Sequence, residues 1–451
     1  MANVKPSIPK GTRDFTPQEM IRRNYIFDTI RKIFEKYAYL PIGTPSIENL
    51  TTLMGKYGEE GDRLIFKILN SGDFAKGVDM SLPSQQLTGK ISEKGLRYDL
   101  TVPFARFVVM HQHEISFPFK RYHMQPVWRA DRPQKGRYRE FYQCDVDVIG
   151  SESLLCEAEL LKITDEVFAH LGIDVTIKIN NRKILSGIAE WMGVPDKTVD
   201  ICTAIDKLDK IGRENVEKEL LERGIPSESV SKLDPVFGLE GSNSSILEQL
   251  KIIFAETPMG MQGVAEVEKM LELAAMYRIN SSVDLDILLA RGLSYYTGAI
   301  FEVRANDVVI GSISGGGRYD DLTGIFGLKN MSGVGISFGA ERIYDVMSEL
   351  HLFPEGLTNP VKVLFLNFGE KEVAYALPAL QQLRTLGIAC EIFPDSSKIG
   401  KQMNYANAKS IPFVIMAGED EIKENHFTLK NMVTGEQQKY SLPEIIQMVT
   451  L

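Results

Sequence analysis

The chain has 451 residues, 44% hydrophobic and 25% charged, which excludes a disordered, collagen-like or coiled-coil architecture; at roughly 150 residues per domain it has room for two to four domains. Its 51 Lys and Arg against 60 Asp and Glu give a formal charge of −9, so any nucleic-acid binding must use a local basic patch rather than bulk attraction. No apolar run approaches the ~18 residues of a membrane span, the N-terminus has no apolar signal core, and four scattered cysteines (Cys144, Cys156, Cys202, Cys390) fit reduced thiols in a cytoplasmic protein.

In chain order, Thr16-Pro17-Gln18-Glu19 joins a capping residue, Pro at the first helical position and Glu three after the cap. It predicts a helix with Ile21, Tyr25, Ile30, Ile33, Phe34 and Tyr37 on its apolar face. Thr44-Pro45 interrupts an extended run, and Pro there predicts a sheet edge or a subunit contact. Residues 96–110 and 119–149 read as strands separated by turns. A helix then runs from Ser151 to Gly172, and Ile173, Val175, Ile177 and Ile179 alternate as in a half-buried strand. Residues 187–270 are rich in Lys and Glu at helical spacing and read as a helical insertion; strand patterns resume over 283–340. The stretch 351–360 reads as a linker. Beyond it, strand (361–366), helix (371–386), strand (388–393), helix (399–409) and strand (412–417) alternate, predicting a small α/β domain with a mixed sheet. The boundaries are thus 1–355 and 359–451.

The residues that carry chemistry are concentrated. Residues 120–139 hold seven Lys and Arg (120, 121, 129, 132, 135, 137, 139) against one acid, Asp131. Arg forks bind phosphate oxygens bidentately, so the stretch suits a polyanion; a solvated hairpin with surface ion pairs is the plainer reading of the same charges. Directly after it, Phe141, Gln143, Asp145 and Asp147 alternate and share one strand face, acceptors for a cationic or amphoteric ligand. Arg97, Asp99 and Thr101 are expected on one side of a strand, Arg291-Gly-Leu-Ser-Tyr-Tyr-Thr-Gly298 around a tight turn, and Gly315-Gly-Gly-Arg-Tyr-Asp320 as a flexible turn. Gly333-Val-Gly335-Ile-Ser-Phe-Gly339 misses the dinucleotide fingerprint by one place, and His111-Gln-His113-Glu114 has no further ligands at metal-site spacing.

These motifs resemble those of the histidyl-tRNA synthetases, a family of class II aminoacyl-tRNA synthetases, nearly end to end from Pro9-Lys-Gly-Thr-Arg-Asp-Phe15. The first helix and the strand ending near Pro45 are similar to class motif 1, Val127–Phe141 to motif 2 and Gly333–Arg342 to motif 3. The 291–298 and 315–320 segments are similar to the histidine-specific signatures, except that Ser294 stands where the family usually has Asp.

The resemblance implies an α/β (α+β) fold: a class II antiparallel-sheet catalytic domain with the helical insertion, plus a mixed-sheet anticodon-binding domain. It implies an ATP-dependent histidine–tRNA ligase, a homodimer off the membrane, with L-histidine, ATP and tRNA(His) as partners and Mg²⁺ accompanying ATP without a protein metal site. Arg129, Arg291 and Arg342 would be catalytic and bind ATP. Asp99, Leu100, Thr101, Arg129, Gln143, Asp147, Arg291, Tyr295 and Tyr296 would bind histidine. Two rivals share the scaffold: a histidine-sensing regulatory subunit of ATP phosphoribosyltransferase, and an RNA-binding module without chemistry.

Overall fold

The computed structural model of the chain describes residues 5–290, 295–357 and 359–450. It divides into two compact units. One comprises Arg23–Phe353 with the described residues up to Asp14; the other comprises Phe15–Arg22 with those from Pro354 onward.

The strands of the larger unit are β1 (Leu40–Pro41), β2 (Ile47–Asn49), β3 (Lys67–Ile68), β4 (Lys94–Leu96), β5 (Phe119–Trp128), β6 (Glu140–Ile149), β7 (Val175–Asn181), β8 (Ser282–Leu285), β9 (Ala299–Ala305), β10 (Ser314–Tyr319) and β11 (Gly333–Gly339). Eight of them form one sheet in the order β1-β5-β6-β11-β10-β9-β7-β8, antiparallel except for the parallel edge pairs β1–β5 and β7–β8. Strands β2, β4 and β3 form a small separate sheet with β2 at its edge, directly after Pro45.

An antiparallel sheet can keep one face apolar and the other polar, and this one does. Cys144, Val146 and Val148 of β6 and Val334, Ile336 and Phe338 of β11 point into the main core. There they meet Ile26, Ile30 and Phe34 of the Pro17–Lys36 helix and Leu160, Leu161 and Phe168 of the Leu155–Leu171 helix. The first of these helices begins as expected: Thr16 N donates to Glu19 Oε2 at 2.7 Å. The second ends at Gly172, whose φ of 71° suits the left-handed cap. The residues in between, Gln143, Asp145 and Asp147 on β6 and Gly335, Ser337 and Gly339 on β11, turn to the opposite face.

From Arg182 to Met276 the regular structure is helical throughout. The first and last of these helices, Arg182–Trp191 and Pro258–Met276, pack backbone to backbone through glycine: a Cβ on Gly187 would lie 2.4 Å from Gly260 Cα. Ile184, Ile188, Val264 and Val267 continue the same core that lies under the large sheet.

The smaller unit carries β12 (Val363–Phe365), β13 (Cys390–Ile392), β14 (Phe413–Met416), β15 (Phe427–Asn431) and β16 (Gln437–Tyr440). The sheet order is β13-β12-β14-β15-β16, parallel in its first three strands and antiparallel in its last two, a mixed sheet as expected. The helices Glu370–Thr385 and Ile399–Ala408 connect the parallel strands.

Two sequence expectations are corrected. Residues 96–110 are not a strand: β4 stops at Leu96 and a helix runs from Thr101 to Met110. Thr101, Val102, Val108 and Val109 mimic a strand, but Asp99 Oδ1 accepts from Val102 N at 3.1 Å and caps the helix, and Pro103 sits in its first turn where no N–H is needed. Nor is Gly315–Tyr319 a flexible turn. It is β10, in the interior of the large sheet, where glycine permits backbone contact: a Cβ on Gly316 would lie 2.0 Å from the carbonyl oxygen of Gly335.

Candidate active site

Register decides what the polar face offers. Arg121, His123 and Gln125 of β5 lie opposite Asp147, Asp145 and Gln143 of β6. On the other side of β6, Asp147, Asp145 and Gln143 lie opposite Gly335, Ser337 and Gly339 of β11, and Gly335 in turn faces Gly317 of β10. Cross-strand partners share a face, so a band of acids and amides runs beside a strip of bare backbone.

Asp147 is held from two sides. Tyr319 Oη donates to its Oδ1 at 2.6 Å, and Arg121 Nη2 pairs with its Oδ2 at 2.8 Å. Burial raises the Tyr319 phenol well above its ordinary pKa, keeping it a donor. Tyr296 lies over the glycine strip, so close that a Cβ on Gly317 would come within 2.9 Å of its ring. Burial, then the charges of Asp147, Asp145 and Asp99, raise its pKa too.

Asp99 has the richer set of donors. Tyr57 Oη donates to Oδ1 and Tyr295 Oη to Oδ2, each at 3.0 Å, beside the helix cap from Val102 N. Thr101 opens the helix that follows, and Leu100, between Asp99 and Thr101 in the chain, is fully buried. Tyr295 meets Tyr296 edge to face at 5.0 Å, linking the Asp99 and Asp147 clusters. Arg97, expected on the same side as Asp99, instead turns away, donating to Pro126 O and Gln125 Oε1, each at 2.8 Å, with no exposure.

Gln143 Nε2 donates to Ser337 Oγ at 2.8 Å, while its Oε1 is buried with no partner among the described residues. Asp145, 2% exposed, leaves Oδ1 in the same condition. Burial, opposed by Arg121 and reinforced by Asp147, lifts the Asp145 pKa to about 7.

The basic stretch divides. Lys120 pairs with Glu159, Arg121 with Asp147, Lys135 with Glu349 and Arg137 with Asp131; Arg139 bonds the carbonyls of Asp131 and Lys10. Arg132 is exposed. Arg129 is aimed by Nε at Tyr98 O (3.0 Å), with its guanidinium over the Tyr98 ring at 4.3 Å and the Phe141 ring at 5.2 Å. Arg342 stands on the helix after β11, its Nε on Gly136 O at 2.7 Å and its Nη1 on Ser312 O. Burial, and after it the guanidiniums of Arg137 and Arg129, push the Arg342 pKa down. Glu302 and Asp131 offset part of this repulsion, and an anionic ligand would relieve more of it. Its neighbour Glu341 turns the other way, into a buried pair with Arg23 of the first helix at 2.8 Å.

The structure therefore brings Asp99, Leu100, Thr101, Tyr295 and Tyr296 together, places Gln143 and Asp147 on the adjoining strand face, and sets Arg129 near Arg342. Arg291 and Ser294 lie outside the described residues. Sequence reasoning missed Tyr57, Arg121 and Ser337 as partners, and gave Tyr319 and Asp145 no individual role. Arg318, in the same signature as Tyr319, is a buried clamp instead, binding Glu157 through Nε (2.5 Å) and Nη2 (2.8 Å). His111 ends its helix, stacked on Phe107 and 3.1 Å from Glu114.

Comparison with known proteins agrees over the full length. The histidyl-tRNA synthetase family matches residues 11–343, and a family described as anticodon binding domain matches residues 361–450. A histidine–tRNA ligase of Phocaeicola vulgatus is 60% identical over 450 residues, covering 99% of each chain. The crystal structure of a histidyl-tRNA synthetase from Nostoc is similar with a TM-score of 0.82 at 29% identity, covering 99% of each chain. A Bacillus halodurans structure, titled as an ATP phosphoribosyltransferase regulatory subunit/histidyl-tRNA synthetase, shares the fold at 19% identity with a TM-score of 0.72, covering 92% of this chain and 99% of its own.

Proposed function

The chain belongs to the histidyl-tRNA synthetase family, and from that premise we propose that the polar sheet face is where L-histidine is activated with ATP and passed to the 3′ end of tRNA(His). A histidine carboxylate oxygen attacks the α-phosphorus, the bond to pyrophosphate breaks, and histidyl-adenylate forms. A terminal ribose hydroxyl of the tRNA then attacks the acyl carbon, and AMP leaves.

The barrier to the first step is largely repulsion between a carboxylate and a polyphosphate. Positive groups fixed in advance around the reacting phosphorus act where charge develops, and one such group supplies about 3–4 kcal/mol. Arg129 clamps the α-phosphate and carboxylate and Arg342 takes the triphosphate end and adenine, while the family resemblance assigns Arg291, outside the described residues, to the α-phosphate. The mutual repulsion of Arg129, Arg137 and Arg342 supports this assignment. Mg²⁺ would travel with the β- and γ-phosphates, supplying positive charge there. Among the described residues no group of three or more His, Cys, Asp or Glu side chains is arranged to hold a metal ion.

Asp99, Thr101 and Gln143 accept the histidine ammonium, with Leu100 backing them. Asp147 and Tyr296 face the imidazole nitrogens and Tyr295 lines the pocket. The observation that carries the reading is the acid-and-amide face of β6, two of whose buried acceptors have no partner among the described residues. A site built to hydrogen-bond a polar side chain rejects apolar analogues by ~10⁴–10⁵, so selection requires no editing step.

Reading of the anticodon falls to the C-terminal unit. Residues 359–451 carry nine Lys and Arg against ten Asp and Glu, so recognition there relies on stacking and base edges rather than net charge. A homodimer fits the exposed Leu40 and Ile47 on edge strands. Among the described residues no helix is long and apolar enough to cross a membrane, and the four cysteines are free, in keeping with a reduced cytoplasmic setting. Histidine-dependent ATP–pyrophosphate exchange on the purified chain is the test. Its absence would return the chain to a sensing or RNA-binding role.

A further inference from the structure

Of the seven cations at 120–139, Arg121 alone has no exposure. Its guanidinium lies over the Phe104 ring at 4.1 Å, and Nη2 stands 2.8 Å from Asp147 Oδ2, the cross-strand partner on β6. None of its three nitrogens makes a hydrogen bond among the described residues, so it acts on Asp147 through charge rather than through a directed bond. Asp147 accepts from Tyr319 Oη at 2.6 Å on its other oxygen. A carboxylate has about four acceptor sites, so it can still take an N–H from a ligand. The two residues together are neutral, and both are buried. A carboxylate buried without its countercharge would instead draw a cation or a proton.

We propose that Arg121 is a positioning residue which, by offsetting the charge of Asp147 from behind, makes the site take the imidazole of histidine in its uncharged form. The proposal rests on the reading of Asp147 as the imidazole partner. An imidazolium would be a second cation sharing one carboxylate with Arg121, in a setting from which water is excluded. A neutral ring gives one N–H to Asp147 and meets no such repulsion. Its other nitrogen is a bare acceptor, and Tyr296, kept a phenol by burial and then by the nearby acids, has an O–H to offer it. The remaining groups around Asp147 do not make this selection. His123, beside Arg121 on β5, is uncharged, since burial and then Arg121 push its pKa down to about 3. Tyr319 stays a phenol, β11 presents Gly335 and Ser337, and Asp99 is matched to the ammonium. Asp145 titrates near 7, in the range of the ligand itself, and is controlled for below.

The test uses the full-length protein and two readouts. Histidine labelled with ¹⁵N in its ring, bound at about pH 5.5 where most free imidazole is protonated, should show the two well-separated nitrogen signals of a neutral ring. The near-coincident pair of imidazolium would overturn the proposal. In pyrophosphate exchange at saturating ATP, the parent's histidine KM should rise about tenfold from about pH 7.5 to about pH 5.5, following the loss of neutral ligand. Arg121→Met should cut that rise to under about twofold or reverse it, whereas Arg121→Lys, which keeps the charge, should retain it. The rise should also persist in Asp145→Asn, which removes the other group titrating in this range. A slope that survives Arg121→Met, or that vanishes in Asp145→Asn, overturns the proposal. Where Arg121→Met does not fold, the ring-nitrogen signals decide alone. Gly335→Ala, whose Cβ would displace Asp147 Oδ1, separates the two readings. If it leaves the histidine KM unchanged, the imidazole site itself falls; if it raises that KM while the bound ring is charged, only the role of Arg121 falls.

Discussion

Adding one methyl group at Gly335 puts the proposed imidazole site to a test whose size can be worked from the structure. A Cβ there would lie 2.0 Å from Asp147 Oδ1 and 2.3 Å from its Cγ. Ordinary contact starts near 3.4 Å, so the carboxylate must retreat by more than an ångström. Gly335 is not among the positive-φ residues, so alanine brings no backbone strain of its own and the effect passes through Asp147. That carboxylate is fixed by Tyr319 at 2.6 Å and Arg121 at 2.8 Å, and misaligning one bond to a charged group costs about 1.5–3 kcal/mol. The histidine KM in pyrophosphate exchange should therefore rise roughly ten- to a hundredfold. The ATP KM should hold within about twofold, because Arg129 and Arg342 are fixed by other contacts. Gly339→Ala, on the same strand face but with nothing nearer than Ile313 O at 3.5 Å, is the control and should be mild. A Gly335→Ala enzyme with the parent's histidine KM refutes the reasoning.

Three further outcomes are expected. The Asp145 pKa is raised from 3.8 to about 7, so its stabilising contribution is complete below about pH 4 and is lost as pH rises through 7; Asp145→Asn should therefore gain stability relative to the parent over that window in urea unfolding. Arg121, Asp147, Asp99, His123 and Ser337 are the groups facing Asp145, and a stability difference independent of pH would contradict the assignment. Arg318→Met leaves Glu157 buried without its clamp and should cost about 3–5 kcal/mol of unfolding free energy; a loss under about 1 kcal/mol would show the pair to be dispensable. Tyr57→Phe and Tyr295→Phe each remove one phenol from Asp99 and should raise the histidine KM about three- to tenfold, with kcat less affected; a change confined to the ATP KM would place Asp99 elsewhere.

Much of this arrangement was legible in the sequence because a strand's period of two is insensitive to register. Alternation alone put Gln143, Asp145 and Asp147 on one face, and the C-terminal alternation of strand and helix placed the first three strands and two helices within a few residues. What failed depended on long-range pairing. Nothing near Tyr57 signals that its hydroxyl reaches Asp99, and no single-chain pattern sets Arg121 opposite Asp147. The helix at Thr101 was hidden by β-branched residues whose strand preference is overruled by a side-chain cap and by burial of Val102, Phe104 and Val108. The Gly315–Tyr319 segment misled for a related reason: three consecutive glycines suggest a loop, whereas here they admit the backbone of neighbouring strands and a tyrosine ring at distances no side chain would allow.

Gly315 opposite Ser337, Gly335 opposite Asp147, and Gly317 opposite Gly335 give the pocket a base of peptide units fastened on both sides by ladder hydrogen bonds. Such a base has no rotamers to freeze when an amino acid settles on it, so that part of the ordering penalty is met when the sheet forms. It also makes change lopsided. Any substitution at these positions can only intrude, so the cavity can grow shallower through them but never deeper, and a lineage seeking a larger amino acid would have to rework the tyrosine walls instead.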